Sequence, residues 1–191
     1  AAEFAARHVP GTLNIPLNTS FVTWAGWLVP STADLYLMVD EATAARLREV
    51  TRLLALIGID RVTGWVSTAT VAASAELRTT PEIDVRGLQT RIAAGTAAVI
   101  DVRGANEWAE GHIPGAEHIP LGYLADRCRT RPATQPIVVQ CRTGARSAIA
   151  ASLLERLGFT DVTNLAGGFV AWTAAGLPVD TTGDEPPTTR G

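Results

Sequence analysis

The sequence predicts an α/β protein whose strands form parallel sheets with helices on both faces. Along residues 83–179, short apolar runs of strand length alternate with helical patterns, and this alternation is typical of βαβ units. The chain also repeats itself, because residues 3–17 align with residues 107–121. The sequence of 191 residues therefore predicts two related units in one chain.

Both copies share the pattern E-[F/W]-A-x-x-H-[V/I]-P-G-x-x-x-I-P-L, in which x is a variable residue. Further along, the strand and helix that begin at Leu35 match those around Cys141. Because Ala1 aligns with Ala105, the first copy lacks counterparts of the first strand, the first helix and the strand Val99–Val102. A sheet without an inner strand would leave backbone groups unpaired. We therefore predict that the chain is part of a longer protein or that another segment fills the gap.

The second copy has the pattern of a complete unit. The predicted boundaries are a truncated first unit at 1–66, a linker rich in Ala, Ser and Thr at 67–82, a second unit at 83–180 and a flexible Pro/Thr/Gly-rich tail at 181–191. Within the second unit the predicted elements are a strand at 83–85, a helix at 86–94 ended by Gly95, strands at 97–102 and 137–140, a helix at 148–157 and a strand at 162–165.

Cys141 is the main candidate for chemistry, because it follows a predicted buried strand and precedes a predicted helix. Backbone N–H groups at such a turn can point at the sulfur or at an anion bound to it. The helix dipole and nearby arginines favour the thiolate, which is the nucleophilic form of cysteine. The candidate loop consists of Cys141, Arg142, Thr143, Gly144, Ala145, Arg146 and Ser147.

Composition excludes several functions. The formal net charge of −3 does not suggest a nucleic-acid or membrane surface. All basic residues are arginine, so catalysis through a lysine Schiff base is excluded. The two cysteines and three histidines have no metal-ligand spacing, and we predict neither a metal nor a cofactor. No apolar stretch reaches transmembrane length and no signal peptide is visible, so a reducing cytoplasmic setting is expected.

Other polar residues are predicted to support the fold. Asp101 and Arg103 end a central strand, where an ion pair that braces the site is expected rather than direct chemistry. His112 lies in the repeated loop pattern that the first copy keeps without a cysteine, which favours a structural hydrogen bond over a Cys–His pair. Cys128 is interpreted as a loop or helix-end residue, and Trp172 as a core or pocket-wall residue.

The second copy resembles a rhodanese-like (sulfurtransferase) domain over residues 83–179. Four motifs occur in the right order: Ile100 to Arg103, Glu107 to Ala116, the Cys141–Ser147 loop, and Gly167 to Trp172. The first copy resembles a rhodanese-like unit without its cysteine, since Glu41 aligns with Cys141. The tandem pair is similar to the C-terminal part of fusion proteins that join a metallo-β-lactamase-fold persulfide dioxygenase to rhodanese domains. This resemblance implies an N-terminal, metal-dependent partner domain of the metallo-β-lactamase fold.

The resemblance implies transfer of sulfane sulfur from thiosulfate or a thiol persulfide, through a persulfide on Cys141, to a thiol, sulfite or cyanide.

Two alternatives remain open at this point. A cysteine phosphatase or arsenate reductase also places a cysteine in an N–H-lined loop, but the usual phosphatase spacing is C-x5-R, whereas Arg146 gives C-x4-R here. The other alternative is a binding module, with Trp24 and Trp27 of the first copy as interface candidates.

Overall fold

The structure is a computed structural model that describes residues 2–74 and 76–181. The chain separates into two compact units, Ala1–Thr79 and Thr80–Gly191. The predicted flexible tail lies outside the described residues from residue 182 onward. Among the described residues, none of the helices combines the length and apolar character needed to cross a membrane.

The first unit contains a small parallel sheet. Strand β1 pairs with β2 in parallel, and a register shift separates Leu35 from Tyr36. The core of this unit includes Phe21, Val50 and Leu54, which come from two helices beside the sheet. Its elements are α1 (Ala2–Ala6), α2 (Phe21–Leu28), β1 (Leu35–Val39), α3 (Glu41–Ala44), α4 (Leu47–Ala55), β2 (Val62–Ser67) and α5 (Thr68–Ser74).

The second unit contains a five-stranded sheet in which all paired strands are parallel, with the order β3-β7-β6-β4-β5. Two predicted strands, 137–140 and 162–165, are confirmed in both bounds. The elements are β3 (Glu82–Ile83), α6 (Val85–Ala94), β4 (Ala98–Asp101), α7 (Ala105–Ala109), β5 (Glu117–His118), a 3-10 turn (Leu121–Tyr123), α8 (Leu124–Cys128), β6 (Ile137–Gln140), α9 (Ala145–Arg156), β7 (Val162–Leu165) and α10 (Gly168–Ala174).

Both faces of this sheet are covered, because all four residues of the central strand β6 are buried. On one face, Val138 packs in a cluster with Leu88 of α6 and Trp172 of α10. Successive residues of a strand point to opposite faces, so Ile137 and Val139 fill the other face, and both are fully buried. The α/β class with a parallel sheet is therefore confirmed for the second unit, and the first unit adds a two-stranded parallel sheet.

The segment that the sequence analysis assigned to a linker at 67–82 contains regular structure. Helix α5 occupies most of its first half, and Arg78 forms an antiparallel bridge with His8 of the same unit. The Ala- and Thr-rich composition resembled a linker, but alanine is also the best helix former. In the second unit, His112 forms the same kind of bridge with Asp180.

The unequal pairing of the two sheets predicts unequal amide exchange. Strand β6 lies between β4 and β7, whereas β1 pairs within the described residues only with β2. We expect the β1 amides to exchange at least about tenfold faster than the β6 amides, because the outer edge of β1 has no partner strand among the described residues. Peptide-resolved deuterium exchange at low protein concentration measures this. Equal protection of the two strands would contradict an open edge.

Candidate active site

Cys141 lies at the carboxyl end of β6, the central strand, where ligands bind in open α/β sheets. A short loop, residues 141–144, separates the strand from α9, which begins at Ala145. Gly144 closes the loop with φ at +98°, in the left-handed region that side chains disfavour. The cysteine itself is only 1% exposed. The sequence therefore places one nucleophilic side chain at the N-terminus of a twelve-residue helix.

Two donors reach the sulfur. The backbone N–H of Gly144 donates to Cys141 Sγ at 3.2 Å, and the hydroxyl of Ser147 lies 3.4 Å from it. These two groups are the ones found within hydrogen-bond distance of Sγ among the described residues. The first N–H groups of α9 have no partner within the helix, so they are available to a sulfur atom bound to Cys141. The expected role of the N–H groups from Arg142 to Ser147 concerns that bound sulfur and stays a prediction.

Helix α10 holds the loop from behind. The N–H of Phe169 donates to the carbonyl of Cys141 at 2.8 Å, and the N–H of Val170 donates to that of Arg142 at 3.0 Å. A Cβ at Gly168 would lie 2.3 Å from the carbonyl oxygen of Cys141. The adjacent glycines Gly167 and Gly168 are visible in the sequence, but the close approach of two backbones depends on the folded sheet.

The two arginines of the loop have different environments. Arg142 is exposed, and its side chain has no ion-pair partner in the part of the chain that the structure describes. Arg146 forms a bidentate ion pair with Glu107 of α7, with distances of 2.6 and 2.7 Å. This hydrogen bonding holds the pKa of Glu107 below its usual value and raises the pKa of Arg146. Glu107 was part of a repeat motif, but its role was missed because 39 residues separate it from Arg146.

Asp101 and Arg103 form a buried ion pair at the end of β4. The Arg103 Nε lies 2.9–3.0 Å from both carboxylate oxygens, and its Nη2 lies 2.6 Å from Oδ2. Nη2 also donates to the carbonyl of Gly111 at 2.7 Å, and the guanidinium stacks 4.1 Å from the ring centre of Phe169. This arrangement braces β4 and α10 beside the cysteine loop and leaves neither group exposed.

The histidines lie in structural hydrogen bonds. His112 stacks on Trp108 at 3.6 Å and its Nδ1 lies 3.2 Å from the Trp108 carbonyl oxygen. His118 Nε2 lies 2.9 Å from the carbonyl oxygen of Arg103. In the first unit, His8 has the same stacking and backbone contact with Phe4. No contact between a histidine and Cys141 Sγ occurs among residues 2–74 and 76–181.

The second cysteine has a different setting. Cys128 ends α8 and is fully buried, and burial raises the pKa of its thiol. A raised pKa leaves less of the nucleophilic thiolate near neutral pH. Trp172 belongs to the core, and its indole N–H donates to the carbonyl of Pro178 at 2.7 Å. The described residues contain no cluster of three or more His, Cys, Asp or Glu side chains arranged to hold a metal ion.

The fold and the loop together define an α/β protein with a cysteine at the carboxyl edge of a parallel sheet. Comparison with known proteins identifies the particular family. A family described as the rhodanese-like domain matches residues 84–175. A sulfurtransferase from Allochromatium vinosum is 37% identical over 99 residues, which cover 51% of this chain and 92% of that protein.

Two further relatives agree. Thiosulfate sulfurtransferase GlpE from Pseudoalteromonas translucida is 40% identical over 77 residues, covering 40% of this chain and 73% of that protein. The solution structure of a rhodanese-like domain from an Anabaena protein is 28% identical with a TM-score of 0.50, covering 59% of this chain and 93% of that chain. The chain belongs to the rhodanese-like family through its second unit.

Gly168→Ala is predicted to disrupt the loop. The new Cβ would meet a backbone carbonyl at 2.3 Å in a residue with φ of +57°, so the loop or α10 must move. We expect the free energy of unfolding of the second unit to fall by about 2–4 kcal/mol.

Gly176→Ala is a matched control, because Gly176 has φ of +68° but a Cβ there would meet no other atom within 4 Å. This variant should lose about 1–2 kcal/mol from conformation alone. Urea unfolding followed by tryptophan fluorescence compares the two. Equal losses in both variants would show that the close contact at Gly168 is unimportant.

The ion pair between Glu107 and Arg146 predicts a pH-dependent contribution to stability. Because the pKa of Glu107 is lowered in the folded state, its carboxylate stabilises the fold above the usual glutamate pKa of about 4.3. This contribution disappears as the pH falls through the lowered pKa. We expect Glu107→Gln to be about 1–3 kcal/mol less stable than the wild type at pH 7, with the gap closing at acidic pH. A gap independent of pH, measured by urea unfolding, would show that the charge is not responsible.

Proposed function

We propose that the protein is a rhodanese-type sulfurtransferase that carries sulfane sulfur on Cys141. The observation that carries this proposal is the position of Sγ, which lies at the N-terminus of α9 with the Gly144 N–H and the Ser147 hydroxyl directed to it. The relatives named as sulfurtransferases support the same reaction class. Thiosulfate or a thiol persulfide is the proposed donor.

In the first step, the Cys141 thiolate attacks the outer sulfur of the donor. With thiosulfate, the new S–S bond forms at Cys141, the sulfur–sulfur bond of the donor breaks, and sulfite leaves with the bonding electron pair. The product is an enzyme persulfide with one negative charge on its terminal sulfur. Hydrogen-bond donors of the protein that stabilise this anion lower the activation barrier, as an oxyanion hole does in acyl transfer.

In the second step, an acceptor attacks the terminal sulfur of the persulfide. Cyanide becomes thiocyanate, sulfite becomes thiosulfate, or a thiolate becomes a persulfide, and the Cys141 thiolate is regenerated. The division into two displacements predicts ping-pong kinetics. Each group of the chain has a proposed role. Cys141 carries the sulfur, the Gly144 N–H and the Ser147 hydroxyl stabilise the charge of its thiolate before the attack and after the sulfur has left, and exposed Arg142 attracts anionic sulfur donors.

The decisive prediction concerns the Cys141→Ser variant. After incubation with thiosulfate, we expect the wild type to gain the mass of one sulfur atom and to lose it on addition of cyanide, because the persulfide forms on the thiolate. Cys141→Ser should gain nothing. Intact-mass spectrometry of the purified chain measures both.

Cys128→Ser is the matched control, since it removes the other thiol and leaves the loop unchanged. It should take up sulfur like the wild type. Sulfur uptake by Cys141→Ser, or none by the folded wild type with a free Cys141, would contradict the proposal. Turnover of an aryl phosphate in the latter case would favour the phosphatase alternative.

For the first unit we propose an incomplete, non-catalytic rhodanese-like repeat. Several features support this. The order of its elements follows that from α7 to α10, except that no strand matches β5 and two helices, α3 and α4, stand where the second unit has α9. Its histidine has the same kind of stacking and bridge as His112. Asp40 alone separates β1 from α3 and caps that helix through Thr43, so no sulfur-binding loop is present at Glu41. Tyr36 and Trp65 of its sheet are 70% and 52% exposed.

We propose that a strand-helix-strand segment, corresponding to residues 82–101 of the second unit, completes this sheet beside β1 and β2. The open edge of β1 supports this idea, and the amide-exchange measurement above tests its premise. The metallo-β-lactamase-like partner that the sequence resemblance implies stays a prediction.

A further inference from the structure

The ion pair between Glu107 and Arg146 joins two elements at the active site. Glu107 lies in the first turn of α7 and Arg146 in the first turn of α9. The carboxylate also accepts the Gly104 N–H at 3.3 Å. The two side chains are 29% and 24% exposed, so water reaches the pair without separating it.

The pair also controls the charge beside the reacting sulfur. Glu107 is the main reason for the raised pKa of Arg146, and Cys141 and Asp101 add smaller electrostatic contributions. Arg146 directly precedes Ser147, whose hydroxyl lies 3.4 Å from Cys141 Sγ, so Arg146 belongs to the helix turn that contacts the reacting sulfur. Asp101 has its own cation in Arg103, so the carboxylate that offsets the charge of Arg146 is Glu107.

We infer that Glu107 is a specificity-determining residue that acts through Arg146. It fixes the guanidinium with two hydrogen bonds and cancels its net charge, so Arg146 adds no preference for donors with two negative charges to the attraction of exposed Arg142. Monoanionic sulfane donors, such as organic thiosulfonates and thiol persulfides, therefore compete better with dianionic thiosulfate than they would beside an unpaired Arg146. This inference rests on the proposed sulfurtransferase function.

The expected effect follows from Coulomb's law. Replacing Glu107 by glutamine keeps the size of the side chain and one hydrogen-bond acceptor but exposes the charge of Arg146. A donor with two negative charges is then attracted to Arg146 more strongly than a donor with one. At low ionic strength, and at a distance of several ångströms near the protein surface, the additional attraction should raise kcat/KM for the dianion about fivefold relative to kcat/KM for the monoanion.

The experiment compares two donors that transfer the same outer sulfur. Thiosulfate carries two negative charges and releases sulfite, whereas benzenethiosulfonate carries one and releases benzenesulfinate. The measured quantity is the ratio of kcat/KM for thiosulfate to kcat/KM for benzenethiosulfonate, with cyanide as the acceptor. A less ordered cysteine loop or a smaller folded fraction lowers kcat/KM for both donors, so these effects cancel in the ratio.

Glu107→Gln should raise the ratio by about fivefold at low salt, and high salt should suppress most of the increase. Arg146→Gln, which leaves Glu107 unpaired, should lower the ratio. Because the two variants should change the ratio in opposite directions, either variant tests the inference if the other folds poorly. A purely structural brace would reduce both rate constants together and leave the ratio unchanged.

Glu49→Gln is the matched control. It removes one negative charge from a similar bidentate pair with Arg46 in the first unit, and neither residue belongs to the site. Its ratio should equal that of the wild type. A change of less than about twofold in Glu107→Gln, in a wild-type background that takes up sulfur on Cys141, would overturn the inference alone. Failure of the wild type to take up sulfur would overturn the proposed function as well.

Discussion

The site depends on the backbone contact between the N-terminus of α10 and the cysteine loop. The first N–H groups of a helix have no partner within the helix, and here those of Phe169 and Val170 bond to the carbonyls of Cys141 and Arg142. These bonds fix the direction of the peptide groups that follow the strand. The N–H of Gly144 can therefore turn towards Sγ on the other side of the loop. A side chain at Gly168 would prevent the contact.

The same helix connects the loop to the buried charges. The ring of Phe169 lies against the Arg103 guanidinium, whose hydrogen bonds reach Asp101 and the carbonyl of Gly111. A buried ion pair contributes little net stability, but removing one partner leaves an uncompensated charge. The pair therefore specifies how β4, α7 and α10 meet. Glu107 and Arg146 form a second pair nearer to water, with about a quarter of each side chain exposed.

Much of the second unit could be predicted from sequence because its signals are local. Buried strands are continuous apolar runs, so β6 and β7 were assigned in both bounds, and Gly95 in the left-handed conformation ended α6 as expected. The position of Cys141 followed from the same strand-turn-helix pattern. The role of Glu107 could not be predicted, since its partner lies on a different helix and only the sheet brings them together.

The first unit shows the limit of alignment without structure. The ungapped alignment placed Glu41 opposite Cys141, but in the structure Glu41 is already the first residue of α3. A loop of residues 141–144 in one unit is reduced to Asp40 in the other, and a change of loop length leaves little trace in a weakly similar sequence.

A high-resolution crystal structure after brief exposure to thiosulfate would show whether the loop stabilises a sulfur atom bound to Cys141. We expect one additional sulfur atom bonded to Cys141 Sγ, directed towards solvent past the first turn of α9 and within hydrogen-bond distance of loop N–H groups. Cys128 should be unchanged. Additional density on Cys128, or an intact thiosulfate bound without modification of Cys141, would show that Cys141 is not the sulfur carrier.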